Sequence, residues 1–242
     1  MKKKDTQRLM ATQNCNYLRE YFLTIVTCTI VALFVTSYVV HPMSVPTPSM
    51  VPTILVGDRV LVDKFTLRNG FKQHPPFTPI KKVNRQDIVV CKSPLDPKIL
   101  LVKRVIGLPG DTLEIRDKTV YIDGNSLDEP YKQHADPQVY KRNSYNTSQL
   151  GLQRDNYGPV TIPVGHYFVM GDNRDDSLDS RYWRFLPGLN LVGKPLYIFW
   201  SYKDPPDAHL KSSVPELVEL YAKRIVFFIT RTRWNRMGKL IQ

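Results

Sequence analysis

The sequence predicts a mainly β protein, an antiparallel β-barrel or sandwich that follows one N-terminal transmembrane helix. Residues 22–40 carry no charged side chain, which is typical of a membrane span. Beyond residue 41, short apolar runs alternate with turn signals, as they do in antiparallel barrels and sandwiches. The nineteen prolines outnumber the twelve glycines, and this favours turns and edge strands over long helices.

The apolar run at residues 22–40 has the length of a transmembrane helix. At about 1.5 Å per residue, its nineteen residues extend just under 30 Å, about one hydrocarbon core. A cleaved signal peptide is disfavoured, because residues 39–42 offer no small-x-small cleavage site. A buried soluble helix would rarely be apolar all round over this length. We therefore predict a basic cytoplasmic segment at 1–20, a transmembrane helix at 21–40 and an extracytoplasmic domain at 41–242.

The distribution of charge indicates orientation and partner. A net charge of +12 suits an ordinary basic surface, a nucleic-acid binder or a protein that contacts anionic lipid. No recognised nucleic-acid motif is present and the cations concentrate at both ends, so a phospholipid bilayer is the favoured partner. Five Lys/Arg residues and two acids precede the apolar run. By the positive-inside rule the N-terminus is cytoplasmic, and the domain lies on the outer face of the plasma membrane.

Beyond the apolar run, strand and turn signals dominate. The polar residues 125–160 predict a variable insertion, a lid or a mobile loop. Asn69–Gly70 and Asp123–Gly124 mark two turns. Strands are predicted at residues 59–65, 87–92, 99–106, 112–116, 119–122, 166–170 and 196–200.

The C-terminal region is basic, with six Lys/Arg residues and no acid in 223–242. Residues 214–230 predict an amphipathic helix that lies on a lipid surface. Residues 232–241 predict a closing strand. Cys15, Cys28 and Cys91 are odd in number and far apart, so we expect unpaired thiols, no disulfide framework, no metal and no cofactor.

Ser49 and Lys103 are the candidate catalytic pair. Ser49 lies nine residues after the apolar run, between prolines that stiffen its loop. A serine hydroxyl is a poor nucleophile until a base takes its proton. Lys103 follows four apolar residues, and burial there would lower its pKa towards neutrality. The five histidines lie outside the motifs around these residues, so a Ser-His-Asp triad is disfavoured.

Four sequence blocks, in order, accompany this pair. They are Pro48–Thr53 (PSMVPT), Gly57–Lys64 (GDRVLVDK), Lys103–Asp111 (KRVIGLPGD) and Gly171–Trp183 (GDNRDDSLDSRYW). Together they resemble the type I signal peptidases of bacteria and their mitochondrial relatives, over residues 20–202. The third and fourth blocks are long and specific, whereas the first alone would be weak.

The resemblance implies a role for each matching residue. Ser49 is implied as nucleophile and Lys103 as general base, then general acid. The Ser49 backbone N–H and the Thr47 hydroxyl would stabilise the oxyanion; many members have Ser at the Thr47 position, so this is a departure. Ser177 would orient the lysine. A supporting charge network would comprise Asp179, Arg181 and Arg104.

Substrate pockets are expected beside the dyad. The resemblance implies sites for two small side chains of an extended peptide, which would add to a strand edge. Apolar residues that flank Ser49 and Lys103 are the candidates, although such residues are more often simple core. They are Val45, Pro46, Met50, Leu101 and Val102.

The sequence therefore predicts a membrane-anchored Ser/Lys endopeptidase that removes signal peptides from exported preproteins through an acyl-enzyme. One alternative is another Ser/Lys processing peptidase, of a self-cleaving, conjugation or mitochondrial inner-membrane type. A second is a non-catalytic, membrane-tethered peptide-binding module with a degenerate site. The oligomeric state is not predicted.

Overall fold

The computed structural model describes residues 2–64, 82–140, 153–204 and 213–242. The chain forms two compact units, Met1–His41 and Pro42–Gln242. The first contains helix α1, Lys2–Phe34, which continues into a π-helical segment at Val35–Val39. Across the described ranges, no helix combines the length and the apolar character needed to cross a membrane. The predicted transmembrane helix at 21–40 has no counterpart among them.

The second unit is mainly antiparallel β, as predicted. In the described residues its strands form a seven-stranded and a four-stranded sheet. The strands are β1 (Val40–Ser44), β2 (Asp58–Asp63), β3 (Ile88–Lys92), β4 (Leu100–Gly107), β5 (Thr112–Arg116), β6 (Thr119–Ile122), β7 (Asn125–Ser126), β8 (Tyr157–Thr161), β9 (His166–Met170), β10 (Leu186–Pro187) and β11 (Leu191–Ser201). The larger sheet has the order β1-β2-β11-β3-β4-β9-β10, and the smaller has the order β7-β6-β5-β8.

The strand predictions agree closely with the structure where the apolar pattern is uninterrupted. Strands β5, β6 and β9 have the predicted bounds. The predicted strand at 196–200 is only the second half of β11, which pairs with both β2 and β3. Pro195 interrupts the pattern, and the register with β2 shifts beside it, which is how a strand accommodates proline.

Three further α-helices have both of their ends among the described residues. They are α2 (Ser180–Trp183), α3 (Val214–Val226) and α4 (Phe228–Arg231). Helix α3 begins at a capping box in which the Ser213 N–H donates to the Glu216 carboxylate at 3.3 Å. The helix predicted over 214–230 is therefore present, with a break at Phe227.

The C-terminal residues pair with β11 but do not form a regular strand. Gly238 N donates to Ile198 O at 2.8 Å, and Ile198 N donates to Lys239 O at 3.0 Å. Ile241 N donates to Leu196 O at 3.0 Å. These bonds occupy the edge of β11 that β3, paired only at its start, leaves open. The closing strand expected at 232–241 is thus a short bridged segment.

The polar region 125–160 contains both described structure and a gap. Strand β7 lies at its start and β8 at its end. Glu129, between them, forms a buried ion pair with Arg174. Residues 141–152 and the Asn69–Gly70 turn lie outside the described residues.

One core cluster supports the candidate site. It joins the segment around Ser49 to strands β2, β3, β4 and β11. Its buried members are Val45, Met50, Ile54, Val60, Val62, Ile88, Val90, Val102 and Ile198. Each buried aliphatic side chain of this size contributes about 1.5–3 kcal/mol, so this packing fixes the position of the Ser49 loop on the sheet.

Candidate active site

A 3-10 turn at Pro48–Met50 carries the predicted nucleophile. The Pro48 carbonyl accepts from the Val51 N–H at 3.0 Å, which closes the turn. Met50 is fully buried and packs into the core cluster. Ser49 is therefore held on a firmly anchored turn, with 8% of its surface exposed.

Lys103 lies in the middle of β4, opposite Val89 of β3. It is only 2% exposed. Burial withdraws water from the ammonium and lowers the pKa of Lys103, while the charge of Asp179 offsets this only in part. The amine is thus shifted towards the neutral form that can accept a proton.

A hydrogen-bonded chain leads from Lys103 to a buried ion pair. Lys103 Nζ donates to Ser177 Oγ at 2.9 Å, and Ser177 Oγ donates to Asp179 Oδ2 at 2.7 Å. Arg181 donates through Nε and Nη2 to the two Asp179 oxygens at 2.9 and 2.8 Å. The Gly171 N–H adds a further bond to Asp179 at 3.1 Å. The chain fixes the direction in which the lysine amine points.

The Asp179–Arg181 pair is electrically balanced within itself. Burial alone would raise the pKa of the Asp179 carboxyl, but the charge and hydrogen bonds of Arg181 outweigh it and hold the pKa below its ordinary value. Lys103 then meets a neutral hydroxyl instead of a bare carboxylate. This arrangement orients the amine without fully restoring the stability of its charged form.

Gly171 brings together the turn that carries Ser49 and the hydrogen-bonded chain that starts at Lys103. A Cβ at this position would lie 2.3 Å from Ser177 Oγ and 2.4 Å from the Ser49 carbonyl oxygen. Both distances are far below van der Waals contact, so only glycine fits between these groups. The Ser49 turn and the Ser177 hydroxyl that holds Lys103 are therefore neighbours.

A second ion pair links the Ser49 and Lys103 segments, and the sequence did not predict its acidic partner. Arg104 donates through Nε and Nη2 to Asp172 at 2.8 and 2.7 Å. Thr53, four residues after Ser49, donates its hydroxyl to the same carboxylate at 2.6 Å. Asp172 thus joins the segment that contains Ser49 and Thr53 to β4. Its place in the fourth sequence block, after a buried strand, was the available signal.

Arg104 and Arg181 therefore belong to two separate pairs. The guanidinium of Arg104 also lies over the Tyr131 ring, 3.8 Å from its centre. Because Gly171 and Asp172 are adjacent in sequence, one loop contacts both pairs.

Asn173 is a further residue that sequence reasoning missed. Its backbone N–H donates to the Ser49 carbonyl at 3.1 Å, and its Nδ2 donates to the Pro48 carbonyl at 3.3 Å. Its Oδ1 is the one buried side-chain polar atom in the described part of the chain that has no hydrogen-bond partner. Asn173 thus steadies the turn that carries Ser49.

The remaining predicted residues do not form one pocket. Thr47 and Pro46 are exposed beside the nucleophile turn. Val45, Met50 and Val102 lie in the core cluster under the turn. Leu101 packs against a different cluster, because successive residues of a strand face opposite sides of the sheet.

Two cysteine thiols are described, and one of them, Cys91, interacts electrostatically with Lys103. Cys28 is exposed and Cys91 is buried, and both are free. Burial raises the pKa of the Cys91 thiol to about 12, which keeps it protonated. Within the described ranges, no three His, Cys, Asp or Glu side chains converge to hold a metal ion.

The sequence that contains these segments matches a known family. The sequence model described as "Signal peptidase, peptidase S26" matches residues 18–200, which include Ser49, Lys103 and the Asp172–Arg181 loop. The chain belongs to this family. It is a serine endopeptidase of the signal peptidase type.

Curated relatives extend the match along most of the chain. Signal peptidase I of Pseudomonas aeruginosa is 35% identical over 206 residues, covering 74% of this chain and 72% of the relative. Signal peptidase I of a Buchnera aphidicola strain is 32% identical over 251 residues, covering 81% and 79%. Signal peptidase I T of Bacillus subtilis is 32% identical over 210 residues, covering 84% and 95%.

A crystal structure of a signal peptidase I from Enterococcus faecalis is also similar. It is 37% identical and covers 48% of this chain and 97% of its own, with a TM-score of 0.37.

Proposed function

We propose that Ser49 and Lys103 form the catalytic dyad with which this signal peptidase cleaves signal peptides from preproteins. The observation that carries the proposal is the buried Lys103 amine, held by Ser177 beside the Ser49 turn. Burial lowers the pKa of Lys103, and an amine of lowered pKa is a competent general base.

The reaction proceeds through an acyl-enzyme. Ser49 Oγ attacks the scissile carbonyl carbon as its proton moves to Lys103 Nζ. The Lys103 ammonium then gives that proton to the departing amine, and the peptide C–N bond breaks. A water molecule, deprotonated by Lys103, next attacks the ester. The proton finally returns to Ser49 as the ester bond breaks, which regenerates the neutral amine.

The oxyanion would be stabilised by donors at the same turn. The Ser49 N–H and the Thr47 hydroxyl are the proposed pair. Thr47 is exposed in an extended conformation immediately before the turn, where its hydroxyl can reach a bound carbonyl. The extended substrate would lie beside this segment, with Pro46 at the surface and Val45, Met50 and Val102 as the apolar floor. Leu101 packs in a different cluster, on the other side of β4 from Val102. It would line a pocket only if substrate also reached that side.

We further propose that the enzyme works at a phospholipid bilayer. Large apolar side chains of α1 are exposed to solvent along its second half. Examples are Phe22, Ile25, Ile30, Leu33 and Phe34. Such side chains favour lipid over water, so residues 21–40 would tether the chain. The preceding cations would keep residues 1–20 in the cytoplasm, with residues 41–242 on the outer face of the plasma membrane.

Replacement of the nucleophile tests the dyad. Ser49→Ala should lower preprotein cleavage by on the order of 10³-fold or more, because the acyl-enzyme can no longer form. The melting temperature should stay close to that of the unaltered chain. The matched control is Ser126→Ala, at an exposed serine of β7.

A second measurement separates an enzyme from a binding module. A serine-directed acylating penem should add one acyl group to the full chain, and peptide mapping by mass spectrometry should locate it on Ser49. Unchanged cleavage by Ser49→Ala, or an adduct at another serine, would refute the assignment.

A further inference from the structure

A cavity of about 450 Å³ lies between the large sheet and the C-terminal helices, outside the residues assigned to catalysis. A second cavity of about 300 Å³ shares Arg59, Tyr221 and Arg224 as walls. The first is lined by Arg59, Trp200, Tyr221, Arg224, Ile225 and Phe228. Two guanidinium groups therefore stand where the two cavities adjoin.

In the described part of the chain, the charges around these cavities are not balanced. Arg224 donates through Nε and Nη2 to Asp204 at 3.0 and 2.8 Å. Arg59 lies over the Trp200 ring, 4.7 Å from its centre. Within the part of the chain that the structure describes, Arg59 makes no ion pair with a carboxylate. Among the described residues, one carboxylate thus serves two guanidinium groups, and one positive charge stays uncompensated.

The environment of Arg59 favours an incoming anion. Burial, followed by the charge of Arg224, lowers the pKa of Arg59, and the nearby Tyr221 and Asp204 offset this only in part. Arginine nevertheless stays protonated in proteins, so Arg59 is a cation that is partly stripped of water and repelled by a neighbour. A bound anion would relieve both effects.

The other walls are apolar and partly open. Trp200 and Phe228 have ring centres 5.8 Å apart. Ile225 is 78% exposed, although it lines the cavity. The cavity therefore offers cations and apolar surface side by side, which matches a ligand with an anionic group joined to a hydrocarbon chain.

We propose that this cavity binds the phosphodiester headgroup of a phospholipid, with Arg59 and Arg224 as phosphate ligands and Trp200 and Phe228 against the acyl chain. A phosphodiester carries one negative charge, which equals the uncompensated positive charge. The planar guanidinium fork of Arg59 matches the geometry of phosphate oxygens, and Arg224, whose Nε and Nη2 are bonded to Asp204, adds its positive charge. The volume lies within the range of small-molecule sites.

The site goes beyond peptide cleavage and uses none of the proposed catalytic residues. It rests on the proposed membrane location only for the source of its ligand. Free phosphate would satisfy the arginines but would leave the apolar walls without a partner. An uncharged lipid would contact the apolar walls but would leave the arginine charges without a partner.

The test is calorimetric titration of the full chain in uncharged, phosphate-free detergent micelles. Three probes separate the contributions: short-chain phosphatidylglycerol, glycerol phosphate without acyl chains, and the matching diacylglycerol without phosphate. Only phosphatidylglycerol should bind saturably at one site. Arg59→Gln should weaken its binding about tenfold or more, because a charge-assisted bond to phosphate is lost. Arg59→Lys keeps the positive charge but loses the planar guanidinium fork. Its affinity for phosphatidylglycerol should therefore lie between those of the unaltered chain and Arg59→Gln.

Arg116→Gln is the matched control. Arg116 is an exposed arginine that stacks on Tyr121 in the other sheet, with the guanidinium 4.6 Å from the ring centre. It should leave lipid binding unchanged. If Arg59→Gln fails to fold, Arg224→Gln and Arg59→Lys decide, and each must weaken binding.

Each contrary result overturns the proposal. Equal affinity for glycerol phosphate indicates a free-anion site, and equal affinity for diacylglycerol indicates an apolar cavity alone. If the arginine variants bind lipid as tightly as the unaltered chain, Arg59 and Arg224 are not phosphate ligands. Preprotein cleavage by the same unaltered preparation is measured separately. Normal cleavage without lipid binding would therefore refute the lipid site and not the proposed dyad.

Discussion

At the scale of single residues, the buried amine of Lys103 has two opposed consequences. Burial favours the neutral form, which is the form a general base needs. Burial also makes the protonated form costly in the folded state. Ser177 limits this cost with a hydrogen bond but brings no charge of its own. Catalysis and stability should therefore depend on pH through the same side chain.

Activity should rise with pH through the pKa of Lys103, which lies below its ordinary value of 10.5. Lys103→Arg should abolish cleavage, because a guanidinium stays protonated and cannot accept the serine proton. The measurement is kcat/KM against pH on a preprotein. Lys92→Arg, at an exposed lysine of the neighbouring strand β3, is the control and should keep the wild-type profile. Substantial activity in Lys103→Arg would exclude Lys103 as the base.

The free energy of unfolding should also depend on pH through the titration of Lys103. Between the lowered folded pKa and the unfolded value near 10.5, the unfolded chain binds the extra proton. The free energy of unfolding contributed by Lys103 therefore rises with pH across this window. Lys103→Met removes the titration, so its stability relative to the unaltered chain should be greatest at low pH and should decline towards pH 10.5. Urea unfolding at several pH values measures this, and a pH-independent difference would contradict it.

At the scale of elements, the site is built where loops from distant parts of the chain meet one strand. Strand β4 supplies Lys103 and Arg104, whose side chains bond to Ser177 and Asp172 of one later loop. The turn at Pro48–Met50 packs against this loop through the Ser49 carbonyl and Asn173. Asp172 is the shared connection, because it also holds Thr53.

Loss of the Thr53 bond should affect rate more than stability. Thr53→Val removes one hydroxyl and keeps the shape, so it should cost about 1 kcal/mol of stability. It should lower kcat while KM changes little, because it loosens the turn that aims Ser49. Steady-state kinetics and thermal melting check this. Thr112→Val, at an exposed threonine of β5, is the control. An unchanged kcat would mean that Arg104 alone suffices to place Asp172.

Asp172→Asn should be more damaging, because it leaves the Arg104 charge buried without its partner. Loss of one member of a buried pair costs about 3–5 kcal/mol. The Arg104 side chain is only 4% exposed, so water cannot replace the carboxylate. Urea unfolding should show this loss. Stability close to that of the unaltered chain would show that the pair contributes little.

The elements that sequence predicted are those with an uninterrupted local pattern. Strands β5, β6 and β9 alternate or cluster apolar residues between clear turns. Strand β8 escaped because Gly158 and Pro159 interrupt it within a polar region. Its residues join the sheet through pairing with β5, which is a tertiary contact that local propensity does not encode.

The residues of the candidate site also divide into those that local sequence predicted and those that it did not. Lys103 and Ser177 were predicted because they lie in long, specific motifs, and Ser49 because its shorter motif precedes them in order. Which carboxylate pairs with which arginine was not predicted, since Asp172 and Asp179 lie in one loop and either could meet Arg104. The packing of β4 against β9 decides it, because Met170 of β9 lies opposite Arg104 and Asp172 follows two residues later.

At the scale of the whole molecule, the proposed topology explains why the active site follows the apolar segment so closely. Ser49 lies nine residues beyond residue 40, and Val45 between them is already packed in the core. A tether at 21–40 would therefore keep the nucleophile close to the membrane surface. A signal peptide that leaves the bilayer there would present its C-terminal end at the same depth.

This topology predicts one-sided protection from protease. In bacterial spheroplasts that express the full chain with an N-terminal epitope tag, added protease should digest residues 42–242 and spare the tag, because the cations before the apolar run hold that end inside. Inside-out vesicles are the matched control, and in them the tag should be lost first. The readout is immunoblotting for the tag and for the catalytic unit. Protection of the catalytic unit in intact spheroplasts would overturn the topology and would place Ser49 on the side opposite to emerging preproteins.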